Sequence, residues 1–63
     1  MDEVKKVRLE IKEMVLGNRK TLYVVSVVDE PTAQNLLTRW TKTQARVDAI
    51  AYLKKTRGWE VES

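Results

Sequence analysis

The first segment of the chain alternates between polar and apolar side chains. Residues 6–12 place charged groups at the even positions and apolar groups at the odd positions. Strict alternation is typical of a strand with one buried face, so this segment is predicted to be a β-strand. The alternation breaks at Glu13-Met14, which predicts a bulge or the end of the strand at that point.

A second strand follows after a short turn. Residues 21–28 are rich in β-branched and aromatic side chains, a composition typical of strands. Gly17-Asn18 lies between the two segments and is a two-residue hairpin signal, because Gly adopts positive φ freely and Asn tolerates it. A hairpin closed by this turn places Ile11 opposite Val24.

The rest of the chain predicts one helix between two short strands. Residues 35–40 fit either a short helix or a third strand, and we favour the strand because a helix start follows at once. Residues 41–44 fit a capping box, so a helix is predicted from about Lys42 to Arg57, with Gly58 as its C-cap. Residues 59–62 alternate again and predict a short final strand.

Together these elements predict an α+β fold with the order ββ(β)αβ. A hairpin, a third strand and a short C-terminal strand form a small antiparallel sheet with one helix packed on one face. The length permits a single small domain, residues 1–63. Trp40 and Trp59 are predicted to cover the core at the two ends of the helix. The helical stripe predicted to pack on the sheet consists of Ala45, Ala49, Ile50 and Leu53.

The composition excludes several kinds of chemistry. The chain has no Cys and no His, which rules out a Ser-His-Asp triad, a Cys nucleophile, a disulfide and a Cys/His zinc site. The two glycines, Gly17 and Gly58, do not form a phosphate-binding loop, and the carboxylates lack the spacing of a calcium loop. We therefore expect a protein that is not an enzyme and that holds no metal and no cofactor.

The same sequence predicts a cytoplasmic location. No apolar run approaches the ~18 residues needed to span a membrane. The segment Met1-Asp2-Glu3 is acidic, unlike the start of a signal peptide. We therefore expect no membrane partner.

The positive charge is concentrated in the second half of the chain. The formal net charge is +3, and residues 1–31 contribute nothing to it, with six basic and six acidic side chains. Residues 37–57 contain six basic side chains and only Asp48 against them. A basic segment of this kind favours a polyanionic partner such as DNA.

One face of the predicted sheet combines apolar and basic side chains. The second strand is apolar on both faces, and one helix covers only one of them. The predicted register leaves Tyr23, Val25 and Val27 on the other face, bordered by Arg8 and Lys12. Exposed apolar strips often belong to an interface. In the alternative interpretation the long stems of Arg8 and Lys12 fold over the valines and cover them.

Two segments resemble a known family. The segment Trp40-Thr41-Lys42-Thr43-Gln44-Ala45 resembles the strand-to-helix step in arm-type DNA-binding domains of phage tyrosine integrases. The segment Thr21-Leu22-Tyr23-Val24-Val25 is similar to a strand of their hairpin. The order of elements agrees over residues 6–57. The recombinase catalytic domain of that family does not fit in 63 residues, and the C-terminal strand is not part of the arm pattern.

In that family a three-stranded sheet enters the DNA major groove. The resemblance implies that the sheet of this chain does the same. Carried over by position, Arg8, Lys12, Tyr23 and Arg39 would contact bases, and Lys42 would hold a phosphate. Arg46 belongs to the basic helix surface that also supplies phosphate contacts in this interpretation.

Two functions therefore remain open. The first is a non-catalytic module that binds DNA through its exposed sheet face. The second is a protein-interaction module, such as a small phage- or plasmid-type inhibitor or adaptor, which uses Tyr23, Val25 and Val27 or a free strand edge. A homodimer is compatible with both.

Overall fold

The structure, a computed structural model, describes residues 3–62. Its elements in chain order are β1 (Lys6–Val7), β2 (Leu9–Val15), β3 (Thr21–Val27), β4 (Leu37–Arg39), α1 (Lys42–Arg57) and β5 (Glu60–Val61). β2, β3 and β4 form a three-stranded antiparallel sheet in that order, and α1 packs on one face of it. These observations confirm the predicted α+β class and the strand among residues 35–40.

The strand predicted over residues 6–12 is divided at Arg8 because the chain changes its hydrogen-bonding neighbour there. The Val7 carbonyl accepts a hydrogen bond from the Glu62 N–H at 2.8 Å, whereas the Arg8 carbonyl accepts from the Val28 N–H at 2.9 Å. β1 consequently pairs in parallel with β5, as a separate two-stranded sheet. The final strand exists as predicted, but it joins β1 and not the antiparallel sheet.

β2 is also longer than predicted. It stays paired with β3 as far as Val15, so the break expected at Glu13-Met14 is wrong. Regular cross-strand hydrogen bonding therefore overrides the change of polarity pattern at these two residues.

The hairpin between β2 and β3 closes with three loop residues and not with the predicted two. The Leu16 N–H donates to the Lys20 carbonyl at 2.8 Å, and the Arg19 N–H donates to the Leu16 carbonyl at 3.0 Å. Arg19 has the positive φ, 66°, and Gly17 does not. Three-residue loops whose last residue is left-handed are a common way to close a hairpin.

The extra loop residue shifts the register and reverses the two faces of the predicted sheet. Ile11 lies opposite Val25 and not opposite Val24. Tyr23, Val25 and Val27 face α1, and both valines are 0 % exposed. The expectation that these three residues form an exposed strip is therefore wrong. A slip of one residue moves every side chain of a strand to the opposite face.

The core lies between β3 and α1. Ala45, Ala49 and Leu53 are fully buried, which confirms most of the predicted helical stripe. Val25 packs with the two alanines, while Val27 packs with Leu53 in a second cluster. Burial of a side chain the size of Leu53 contributes about 1.5–3 kcal/mol. The small alanines allow the helix to approach the sheet closely.

Both ends of α1 have the predicted caps. The Thr41 hydroxyl accepts a hydrogen bond from the Gln44 N–H at 3.2 Å. The Gln44 side chain does not complete a capping box, because its amide donates to Asp48 Oδ1 at 2.7 Å. Gly58 ends the helix with φ 67°, and its N–H donates to the Lys54 carbonyl at 3.1 Å.

Candidate nucleic-acid interface

The face of the three-stranded sheet that points away from α1 is called the outer face. Because side chains alternate along each strand, the register assigns it the residues Glu10, Lys12, Met14, Leu22, Val24, Ser26 and Thr38. At one end of this face the Ser26 hydroxyl accepts a hydrogen bond from the Asn35 N–H at 3.0 Å, and Ser26 is buried. The accessible part of the outer face therefore lies toward the hairpin loop.

The hairpin extends beyond the third strand. β4 pairs only with Tyr23, Val24 and Val25, so the β2–β3 pair continues from there as a two-stranded ribbon that ends in the loop. Met14 and Val15 on this ribbon are 50 % and 71 % exposed. We call residues 12–22, together with Trp40 and Lys42, the hairpin end.

Trp40 is a prominent exposed side chain of the hairpin end. Its exposed fraction is 58 %, so the expectation that it covers the core is wrong. The Lys20 ammonium lies 5.7 Å from the centre of its ring, and the two residues line a shallow depression with Thr21. An exposed indole beside a cation is suited to stacking on an unpaired base near a phosphate, as single strands present them.

The cations of the hairpin end lack strong acidic partners. Arg19, Lys20 and Lys42 make no ion pair with any residue between 3 and 62. The Lys12 ammonium is 4.0 Å from a Glu10 carboxylate, and both side chains are more than half exposed. Exposed pairs of this kind contribute little stability. These positive charges are consequently available to an anionic partner.

The opposite end of the molecule is different, and we call it the closed end. It consists of residues 5–8, residues 57–62 and the loop of residues 28–36. Lys5 pairs with Glu30, and the Arg8 Nε is 3.2 Å from a Glu62 carboxylate. Positive charge at this end is therefore largely neutralised within the fold.

The structure does not bring the six predicted nucleic-acid residues together. Lys12 lies on the outer face, but Arg8 lies at the closed end. Tyr23 and Arg39 lie opposite each other on the side of the sheet that faces α1. Lys42 and Arg46 are exposed on the first turns of α1, where residues four apart share a side of the helix.

Arg39 has a structural partner. Its Nε donates to Asp48 Oδ2 at 2.6 Å. Hydrogen bonds from the Gln44 amide and then from Arg39 hold the pKa of the Asp48 carboxyl below its ordinary value. The ionised carboxylate thus ties β4 to α1, which gives Arg39 a role in the fold.

Arg19 and Lys20 belong to the candidate site in the structure but were not among the residues predicted for it. Both residues follow Gly17-Asn18. A loop of three residues, in place of the predicted two, places Arg19 in the turn itself. Basic residues that flank a hairpin turn are exposed in nearly every hairpin geometry, so their position beside the turn was sufficient to nominate them.

Comparisons of this chain with protein-family models, with curated proteins and with solved structures found no match. The resemblance to integrase arm-type domains thus stays a prediction. None of the helices within residues 3–62 is long and apolar enough to cross a membrane. Over the same range, no three Asp or Glu side chains come together as ligands for a metal ion.

Proposed function

We propose that the chain is a non-catalytic module that binds double-stranded DNA through the hairpin end. The observation that carries this proposal is the group of cations Arg19, Lys20 and Lys42, which have no acidic partner in the described residues and lie at the projecting end of the hairpin. Lysine and arginine side chains release counterions when they neutralise phosphates, and this release supplies much of the affinity of DNA-binding proteins.

The shape of the hairpin end favours duplex DNA as the partner. A two-stranded ribbon projects beyond β4, and the major groove of B-DNA, about 12 Å wide, admits such a ribbon. Asn18 and Arg19 lie in the loop that joins its strands, and both side chains can form paired hydrogen bonds with base edges. Lys12 and Lys20 are then placed beside the groove, where phosphates lie.

A protein partner is the second candidate, and the exposure of Met14 and Val15 favours it. Met14 on the outer face and Val15 on the opposite face of the ribbon are each at least half exposed, so each face offers an apolar contact. The two functions differ in their response to salt, because counterion release makes DNA binding weaken steeply with salt whereas an apolar interface does not.

The test measures the affinity for a fluorescent mixed-sequence duplex by anisotropy over a series of salt concentrations. Wild-type protein is expected to bind with a steep salt dependence. Lys12→Ala/Lys20→Ala should lose about tenfold in affinity at low salt and reduce the salt slope by about 2. The same series with a single strand and with an RNA duplex establishes whether double-stranded DNA is preferred.

The matched control is Lys54→Ala/Lys55→Ala, which removes the same charge from the last turn of α1. We expect this variant to bind within about twofold of wild type, since neither lysine belongs to the hairpin end. Equal losses in the two variants would show that only net charge matters. Absence of binding at low salt would contradict the proposal.

A further inference from the structure

β2 is an edge strand with a free row of backbone groups. Its hydrogen bonds to β3 use the even positions, as shown by the Arg8 carbonyl, which accepts from Val28, and the Leu16 N–H, which donates to Lys20. In an antiparallel pair the intervening residues direct their backbone groups away from the neighbouring strand. The residues with outward backbone groups are therefore Leu9, Ile11, Glu13 and Val15.

Protection of this edge is uneven. Charged side chains discourage pairing between exposed edges, and β2 has three of them, all within residues 10–13. Residues 14–16 have none, although Met14 and Val15 are among the most exposed apolar side chains. The part of the edge nearest the hairpin loop is thus open to another strand.

We propose that a second copy of the chain pairs with this part of the edge in an antiparallel arrangement, with Met14 opposite the partner's Met14. The proposal does not depend on DNA binding. Four paired strands are wider than the two-stranded ribbon that a major groove admits, so the dimer and the DNA complex would use the hairpin in alternative states. Because hydrogen bonding requires outward groups from both copies, odd positions must lie opposite odd positions, which leaves a small set of registers.

Charge and space exclude the competing registers. Pairing centred on Lys12 or on Glu13 places identical charges directly opposite each other, which is destabilising. Pairing centred on Ile11 places the partner's Val15 opposite Val7, where β5 already lies. Pairing centred on Val15 involves only residues 14–16 of each copy.

The register centred on Met14 pairs residues 12–16 of both copies and avoids all of these conflicts. Glu13 lies opposite the partner's Val15, and Lys12 lies opposite the partner's Leu16, so no like charges meet. Its two-fold axis is perpendicular to the sheet, so both outer faces lie on the same side of one continuous sheet. α1 contacts the sheet away from the loop and does not obstruct this pairing.

The first test removes one outward hydrogen-bond donor. The Val15 N–H points away from β3, so Val15→Pro removes a donor from the free edge and none from the hairpin. Light scattering without DNA should show that the mass of the wild-type protein rises with concentration from 7.3 kDa toward twice that value. Val15→Pro should remain a monomer with an unchanged circular dichroism spectrum, while Val15→Ile should still dimerise.

The second test determines the register. The chain contains no cysteine, so Met14→Cys introduces a single thiol. Residues opposite each other at such a position have Cα atoms about 4.5 Å apart, which permits a disulfide. Under mild oxidation Met14→Cys should form a covalent dimer at least about tenfold faster than Glu10→Cys on the same face. Equal rates, or wild-type protein that stays monomeric at every concentration, would overturn the proposal.

Discussion

The two ends of the molecule each contain a tryptophan beside a lysine, but the surroundings differ. At the closed end Trp59 packs against the core, and the ammonium of Lys5 and the guanidinium of Arg57 lie 4.7 Å and 5.0 Å from its ring centre. At the hairpin end Trp40 is mostly exposed beside Lys20.

The difference lies in what holds the cations. Lys5 is paired with Glu30, and the Arg57 guanidinium donates to the Thr32 carbonyl at 3.0 Å. Lys20 has no acidic partner in the described part of the chain. The same residue types therefore stabilise the fold where they are anchored and remain available for binding where they are not.

The largest expected effect separates the two tryptophans. Trp59→Ala should lower the free energy of unfolding by about 3 kcal/mol, because it removes a large side chain packed on the core. Trp40→Ala should lower it by less than about 1 kcal/mol, because that ring is largely in solvent already. Urea unfolding followed by circular dichroism measures both values. Equal losses of unfolding free energy would show that Trp40 supports the fold as much as Trp59 does.

A smaller effect separates the two glycines. Gly58 needs its left-handed φ, and a Cβ there would meet no atom within 4 Å, so Gly58→Ala should cost about 1 kcal/mol through backbone conformation alone. Gly17 lies in equally open space without positive φ, so Gly17→Ala should change stability by less than about 0.5 kcal/mol. Thermal unfolding of the two variants compares them directly. A larger loss at Gly17 would contradict the three-residue loop.

Local signals in the sequence were sufficient for the helix and its two ends. Thr41 and Gly58 bound the helix because a hydroxyl cap and a left-handed residue act on neighbouring backbone groups. The faces of the sheet could not be predicted in the same way. β3 is apolar on both sides, so its pattern does not show which side faces the helix. The assignment of the two faces therefore depended on the length of the turn, which is one residue longer than predicted. Arginine rarely adopts positive φ, so nothing in the sequence indicated that Arg19 is the third residue of the loop.

The candidate site was predicted in part. Two of the six predicted nucleic-acid residues, Lys12 and Lys42, lie in the hairpin end, where DNA binding is now proposed. The resemblance to integrase arm-type domains placed Arg39 among the DNA contacts, and a three-residue strand gives too little alternation to show which way its side chain points. Its pairing with Asp48 depends on the helix lying over that face, which is a tertiary contact.

DNA binding at the hairpin end can be tested by amide NMR spectra recorded while a DNA duplex is added at low salt. Binding there should shift the signals of residues 12–22 and 40–42, and the shifts should diminish as salt is added. Residues 5–8 and 57–62 at the closed end should stay unchanged. Shifts concentrated at the closed end, or no shifts at low salt, would show that the hairpin end does not bind DNA.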